Sequence, residues 1–245
     1  MNTTAPEISK NRIRELSKLQ QKKQRLSEGK VVVEGLRTLK QLRDWGIKPL
    51  EQYCLADSSP VWTDVPSFVL RDWELGKICD SEHPQDVAAL FDLPRERKIE
   101  FKLAFYLDGI KDPGNLGTIF RLCVAFGIDA LLLSPDCVEV SSPKVVRASL
   151  GSVFKVPFQI LDAEQLRSIQ AELVLTDASF GEALRSFVPN ADRATMIALG
   201  SEAHGLSEEL RALADRTLRI EMGEWMESLN VAVSAGIIAH HLFGT

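Results

Sequence analysis

Three short stretches in the second half of the chain combine glycine with amide, hydroxyl and charged side chains, a composition suited to holding a small polar ligand. The first is Asp108-Gly-Ile-Lys-Asp-Pro-Gly-Asn-Leu-Gly117. Its glycines allow backbone turns and close approaches that a side chain would block, Asn115 can cap a following helix, and Arg121 lies further into that helix. The second is Leu199-Gly-Ser-Glu-Ala-His-Gly-Leu206, which supplies a carboxylate at Glu202. The third is Ile220-Glu-Met-Gly-Glu-Trp-Met-Glu-Ser-Leu-Asn230, which ends on a hydroxyl at Ser228 and an amide at Asn230. Taken singly, each has a structural explanation, because glycines mark turns and Asn or Ser caps helices. Other chemistries lack their residues. No G-x-G-x-x-G, no G-x-x-x-x-G-K-[ST] and no G-x-S-x-G occurs, which disfavours a Rossmann dinucleotide site, a P-loop and a hydrolase elbow.

The elements around these loops follow from hydrophobic patterning. Leu103–Leu107, Ala130–Leu133, Leu173–Thr176, Met196–Leu199 and Leu218–Ile220 read as buried strands. Leu116–Phe126 and Ser228–Leu242 read as helices. Strands alternating with helices predict an α/β domain whose mainly parallel sheet carries helices on both faces. Each of the three loops follows a strand, and ligand sites in such sheets collect at the carboxyl ends of strands.

The first part of the chain reads as a small α/β unit. Its predicted elements are a helix starting near Ser9 or Asn11, a strand at Lys30–Glu34, a helix opened by Gly35 with Leu36, Leu39 and Leu42 inward, and strand-like runs at Tyr53–Leu55 and Phe68–Leu70. The polar stretch Asp92–Lys98 is the expected linker, giving domains over residues 1–95 and 96–245. Net charge is −5, which by itself argues against a nucleic-acid partner, yet the distribution is uneven. Residues up to Lys98 hold 17 basic and 15 acidic side chains, and the rest hold 12 and 19. Between Lys10 and Lys30, eight Lys or Arg stand against Glu15 and Glu28 alone. As one continuous helix this segment puts Lys10, Arg14, Lys18, Lys22 and Arg25 on one side, opposite Ile13, Leu16 and Leu19. That face is either a solvated helix surface or a contact for a phosphate backbone.

Cys54, Cys79, Cys123 and Cys137 form no C-x-x-C pair, and no His stands at zinc-ligand spacing, so packed reduced thiols and no metal are expected. The longest uncharged run, Ser228–Phe243, contains Asn230, His240 and His241 and is too short to span a bilayer. Met1–Lys10 has no apolar signal core, and a cytoplasmic protein without membrane attachment is expected.

Together, in order and spacing, the three loops resemble the SpoU/TrmH family of SPOUT methyltransferases over about Lys102–His241. The first motif is similar to Asp112-Pro-Gly-Asn-Leu-Gly117 with Arg121, the second to Leu199-Gly-Ser-Glu-Ala-His-Gly-Leu206, and the third to Met222 through Glu227-Ser-Leu-Asn-Val231. Asn11–Gly35 resembles the substrate-binding domain often fused in front of this catalytic domain. The resemblance implies a deep C-terminal trefoil knot, S-adenosyl-L-methionine bound in it, and a homodimer with the active site at the interface. It implies methyl transfer to a ribose 2′-hydroxyl of structured RNA, ribosomal RNA before tRNA. A non-catalytic RNA-binding protein that keeps the fold is the rival reading. Arg121, Asn115, Glu202, Ser228 and Asn230 carry over as the catalytic group. Thr176, Leu199, Gly200, Ile220, Met222 and Leu229 carry over as the cofactor wall. The third motif departs from the family's Ile-Pro-Met-x-Gly: Glu221 replaces the Pro, Glu224 replaces the Gly, and Gly223 comes one position early.

Overall fold

The computed structural model describes residues 6–201 and 204–243. Glu202, one of the five catalytic candidates, lies outside the described residues. In chain order the first elements are α1 (Lys10–Lys18), α2 (Lys22–Glu28), β1 (Lys30–Glu34), α3 (Leu36–Asp44), β2 (Glu51–Leu55), β3 (Ser67–Leu70), α4 (Asp72–Ile78) and β4 (Val87–Asp92). There follow β5 (Leu103–Asp108), α5 (Pro113–Phe126), β6 (Ala130–Leu133), α6 (Pro143–Ala148), β7 (Phe158–Ile160), α7 (Ala163–Leu166) and β8 (Ala171–Thr176). The last are β9 (Glu182–Ala183), β10 (Ala194–Gly200), α8 (Glu208–Arg211), β11 (Arg216–Arg219) and α9 (Val231–Leu242).

These elements form two compact units. One comprises the chain up to Pro94 together with Val140–Phe154, and the other Arg95–Glu139 together with Lys155 onward. In the first unit a four-stranded sheet runs in the order β1-β4-β2-β3, antiparallel except for the β2–β3 pair. Ile13, Leu16 and Leu19 pack on it with Tyr53, Leu75, Ile78 and Leu90, as the apolar face of α1 predicts. The excursion Val140–Phe154 belongs to this unit through ordinary packing. The Phe154 ring lies 5.3 Å from that of Phe91, and Arg147 bonds Glu34 at 2.8 Å.

The basic helix is not continuous. Leu19, Gln20 and Gln21 close α1 with bonds back to Leu16, Ser17 and Lys18, and Gln21 is extended. Nothing in Leu-Gln-Gln breaks a helix by propensity. The break comes from tertiary contacts: Gln20 donates to the carbonyls of Lys77 and Cys79. Arg25 is consequently not on the exposed basic face. It is 3 % exposed and donates to the carbonyls of Leu19 and Gln20, at 3.0 and 2.7 Å, capping the end of α1. Arg25 is therefore corrected from a candidate RNA contact to a structural residue, whereas Lys10, Arg14, Lys18 and Lys22 are exposed. Leu36, expected inward, is 40 % exposed because the helix begins there, while Leu39 and Leu42 are buried.

The second unit holds a seven-stranded sheet ordered β7-β6-β5-β10-β8-β11-β9 with every pairing parallel. α7 and α8 cover one face, where Leu166 and Leu210 pack with Tyr106, Leu132, Leu173 and Met196. Alternate residues of the same strands, Phe105, Leu131, Leu133 and Ile197, are also buried, and α5 and α9 pack against β6 and β10. The chain leaves β5 toward β6 on one side and returns to β10 on the other. This is the topological reversal where open parallel sheets place ligands.

Among the described residues no helix is long and apolar enough to cross a membrane, and no three His, Cys, Asp or Glu side chains are grouped to hold a metal ion. The four cysteines are free thiols, and burial pushes Cys54 up to about 11 and raises Cys79, Cys123 and Cys137 as well. None is set up as a thiolate nucleophile at neutral pH.

Candidate active site

The first loop is fixed at both ends. Gly109 takes φ +67°, a backbone that favours glycine, and its N–H donates to Ser134 Oγ at 2.9 Å. Asp112 caps α5 by accepting from the Asn115 N–H at 2.7 Å, with Pro113 in the first turn. Asp108, at the end of β5, accepts from the Ser207 N–H at 2.8 Å, which ties the first loop to the second.

The second loop folds back on itself. Ser201 and Gly205 exchange both backbone hydrogen bonds, at 3.1 and 2.8 Å, and Gly205 takes φ +65°. The approach is so close that a Cβ on Gly200 would lie 2.2 Å from the Gly205 carbonyl carbon. The third loop delivers Asn230 to the start of α9, where its Oδ1 accepts from the N–H groups of Ala232 and Val233. The Asn230 amide then donates to Asn115 Oδ1 at 3.0 Å. This bond joins the first turns of α5 and α9, whose bodies are close enough that a Cβ on Gly236 would meet Leu122 at 3.5 Å. The side-chain carbonyl oxygen of Asn115 is thus engaged by Asn230.

Between the second and third loops and the end of β8 lies a cavity of about 260 Å³. Thr176, Leu199, Gly200, Ile220, Met222 and Leu229 all line it, so the six residues assigned to a cofactor wall are brought together. Ser228 lines it too, and α9 contributes Val231, Ser234 and Ile238 from one face. Thr176 Oγ1 donates to the Ala198 carbonyl at 2.8 Å, which leaves its methyl and backbone as wall. The mixture of apolar walls and a few fixed polar groups is that of a small-molecule site.

Arg121 stands elsewhere. It is exposed on α5, does not line the cavity, and its side chain has no hydrogen bond or ion pair with another described residue. Glu221 and Glu224 also stay out of the cavity wall. The Glu221 carboxylate turns to Arg185, 2.8 Å away. The wall also includes residues that the sequence did not single out for it, among them Asp177, Arg211, Leu218, Val231, Ser234 and Ile238. Asp177 directly follows a predicted strand end, and Val231, Ser234 and Ile238 follow helical spacing, so both carried a usable signal. Arg211 carried none.

Residues 102–240 match the SpoU rRNA Methylase family, and residues 10–89 match the MRM3-like substrate binding domain. The 23S rRNA (guanosine(2553)-2′-O)-methyltransferase RlmP of Bacillus subtilis is 28 % identical, over 97 % of this chain and 98 % of its own length. A solved structure of a candidate RNA methyltransferase of the TrmH family from Porphyromonas gingivalis is 31 % identical, with a TM-score of 0.82, and the alignment covers 96 % of this chain and 97 % of that one. The SpoU methyltransferase AviRb from Streptomyces viridochromogenes, solved in complex with AdoMet, shares the fold at 23 % identity, with a TM-score of 0.79 over 95 % of this chain and 97 % of its own. The matched residues include the sheet, all three loops and the lining of the cavity, and the chain belongs to the SpoU rRNA methylase family.

Proposed function

We propose that this protein transfers a methyl group from S-adenosyl-L-methionine to a ribose 2′-hydroxyl of ribosomal RNA. One observation carries the reading: six residues drawn from the second loop, the third loop and the end of β8 converge on one cavity, with Ser228 in its wall. The cofactor, when bound, supplies a methyl group already activated on a sulfonium. The protein's task is then to hold the reacting oxygen in line and help it lose its proton. Backbone groups at Gly200, Ile220 and Leu229 hold the adenosine part, and the side chains of Leu199, Met222 and Leu229 exclude water around it. Ser228, Asn115 and Asn230 form the polar edge toward the substrate. The intact Asn115–Asn230 bond argues against a protein that has kept the fold and lost the reaction. Trp225, exposed on the loop between Met222 and Ser228, offers a ring face to an RNA base.

Arg121 positions the ribose and its phosphate. Its distance from the cavity of its own chain is what a site completed across a homodimer requires. Val124 lies three residues along the same exposed side of α5, and Val233, Ile237 and Phe243 are exposed on and just beyond α9, the helix packed beside it. This apolar face is the proposed dimer contact. The trefoil knot implied by the resemblance and a cytoplasmic site of action belong to the same proposal. So does a division of labour between residues 1–95, presenting RNA, and 96–245, carrying the chemistry. Ribosomal RNA is favoured over tRNA because the Bacillus subtilis relative, aligned along nearly its whole length, is named for a 23S rRNA nucleotide. Mapping ribose methylation in total RNA from a deletion strain and its parent tests the proposal. One ribosomal 2′-O-methyl group should vanish, and an unchanged map would refute it.

The N-terminal basic residues supply affinity. Replacing Lys10, Arg14, Lys18 and Lys22 together by Ala should weaken RNA binding across sequences. It should also flatten the dependence of log Kd on log salt by up to about three to four units, because each lost phosphate contact releases one fewer counterion. Arg25→Ala should behave differently. It strips the donors from two carbonyls and should lower stability by about 1–3 kcal/mol, while the salt slope stays near wild type. Titrations at several salt concentrations alongside urea melts check both, and an unchanged slope in the fourfold variant would make those residues a solvated face.

A further inference from the structure

Asp177 and Arg211 are the charged side chains in the cavity wall among the described residues. Asp177 follows β8 directly, and its Oδ1 accepts from the N–H groups of Ser179 and Phe180, at 2.9 and 3.4 Å. This turn locks the carboxylate in place. Its other oxygen, Oδ2, pairs with Arg211 Nη1 at 3.4 Å. The Asp177 side chain is 14 % exposed and that of Arg211 33 %, so the carboxylate is mostly covered while the guanidinium stays accessible.

Arg211 has donors to spare. A guanidinium carries several N–H groups in a planar fork, and in the described structure only the Nη1 side is engaged, by Asp177. The other terminal nitrogen, Nη2, stands 3.9 Å from where a Cβ on Gly205 would be, beside the turn that closes on Gly200. The remaining wall is apolar or neutral. A planar cationic fork in such surroundings suits a carboxylate, which it can bind through two parallel hydrogen bonds.

The cofactor assigned to this cavity has one anionic group, the α-carboxylate of its methionyl end, next to an α-ammonium. An arginine–aspartate pair is the complement of that zwitterion. We propose that Arg211, positioned by Asp177, binds the carboxylate of the methionyl end, with Asp177 Oδ2 facing the ammonium. The proposal rests on the reading of the cavity as the cofactor site. It makes Arg211 a binding residue and Asp177 chiefly a positioning one.

The test compares S-adenosylmethionine with its decarboxylated analogue, which keeps the adenosine, the sulfonium and the amine. Dissociation constants are measured by calorimetry on the full chain, for wild type, Arg211→Met, Arg211→Lys and Asp177→Asn, each checked for fold by circular dichroism. Wild type should bind the intact cofactor about tenfold to a hundredfold more tightly than the analogue, the range expected for hydrogen bonds to a charged group. Arg211→Met should lose that preference, weakening the intact cofactor and leaving the analogue within about twofold. Arg211→Lys should recover part of it. Asp177→Asn should reduce it less than Arg211→Met does. If wild type binds both ligands equally, or Arg211→Met weakens both alike, the assignment of Arg211 is wrong while the cavity remains the cofactor site. If wild type binds neither, the reading of the cavity falls and this proposal with it. If Arg211→Met lowers RNA affinity and leaves both cofactor constants unchanged, Arg211 serves an RNA phosphate and the proposal is overturned.

Discussion

Arg121→Ala should lower single-turnover methyl transfer by about a hundredfold to a thousandfold, the usual effect of losing one preorganised charged donor, and should leave the cofactor dissociation constant within about twofold. The separation of the two effects follows from position. Arg121 is exposed on α5 and stands apart from the cavity wall of its own chain, so removing it leaves that wall unchanged. Its side chain makes no hydrogen bond or ion pair with another described residue, so the variant should keep near wild-type stability. Proton abstraction by a free guanidinium is not available, because the group stays protonated at any working pH. Its contribution is to hold ribose and phosphate where the methyl is delivered. Arg121→Lys should rescue poorly, since an ammonium cannot reproduce the planar two-point contact. Quenched-flow methyl transfer and cofactor calorimetry on the same preparation decide the matter. A folded Arg121→Ala protein that methylates near the wild-type rate would remove Arg121 from the mechanism and leave Ser228, Asn115 and Asn230 to account for it.

The second large effect is steric. Gly200→Ala should weaken cofactor binding about tenfold to a hundredfold, the range expected when a methyl group is forced into a filled space. The new Cβ would sit 2.2 Å from Gly205 C, 2.5 Å from Gly205 O and 2.5 Å from Leu206 N. All three are backbone atoms, so no rotamer change relieves the clash. The paired bonds between Ser201 and Gly205 must open instead, and the wall formed by Leu199, Gly200 and Leu206 moves with them. Gly223→Ala is the matched control, because a Cβ there meets nothing within 4 Å. It should bind cofactor within about twofold of wild type, and equal losses in the two variants would contradict this account of the second loop.

Much of the catalytic unit was legible in the sequence because its signals are local. A buried parallel strand such as Ala130–Leu133 is a run of apolar residues, and glycines in turns follow β5 and β10, at Gly109 and Gly205. The three motifs in order single out six residues of the cavity wall between Thr176 and Leu229, but not Asp177, Arg211 or Leu218. What the sequence hid depends on distant contacts. The short strands Phe158–Ile160 and Glu182–Ala183 have no period of their own and exist through their pairing with β6 and β11. The break after Lys18 and the burial of Arg25 depend on carbonyls near the end of α4 and on the end of α1 itself. Packing of Val140–Phe154 with the first unit could not be read either, since its apolar residues fit either core. Glu221, an apparent intruder in the third motif, is accounted for by Arg185, a partner 36 positions away that no spacing rule would select.

The central claim is that this chain methylates a ribose oxygen of ribosomal RNA, and one measurement addresses it directly. Purified protein is incubated with ribosomal RNA from a strain lacking the gene and with S-adenosylmethionine labelled in its methyl group. The RNA is then digested to nucleosides and resolved by mass spectrometry. The account predicts label in a single 2′-O-methylnucleoside at one ribosomal position, and its absence when the fully modified RNA of the parent strain is used. Label on a base, or no transfer by folded protein that binds the cofactor, would contradict it.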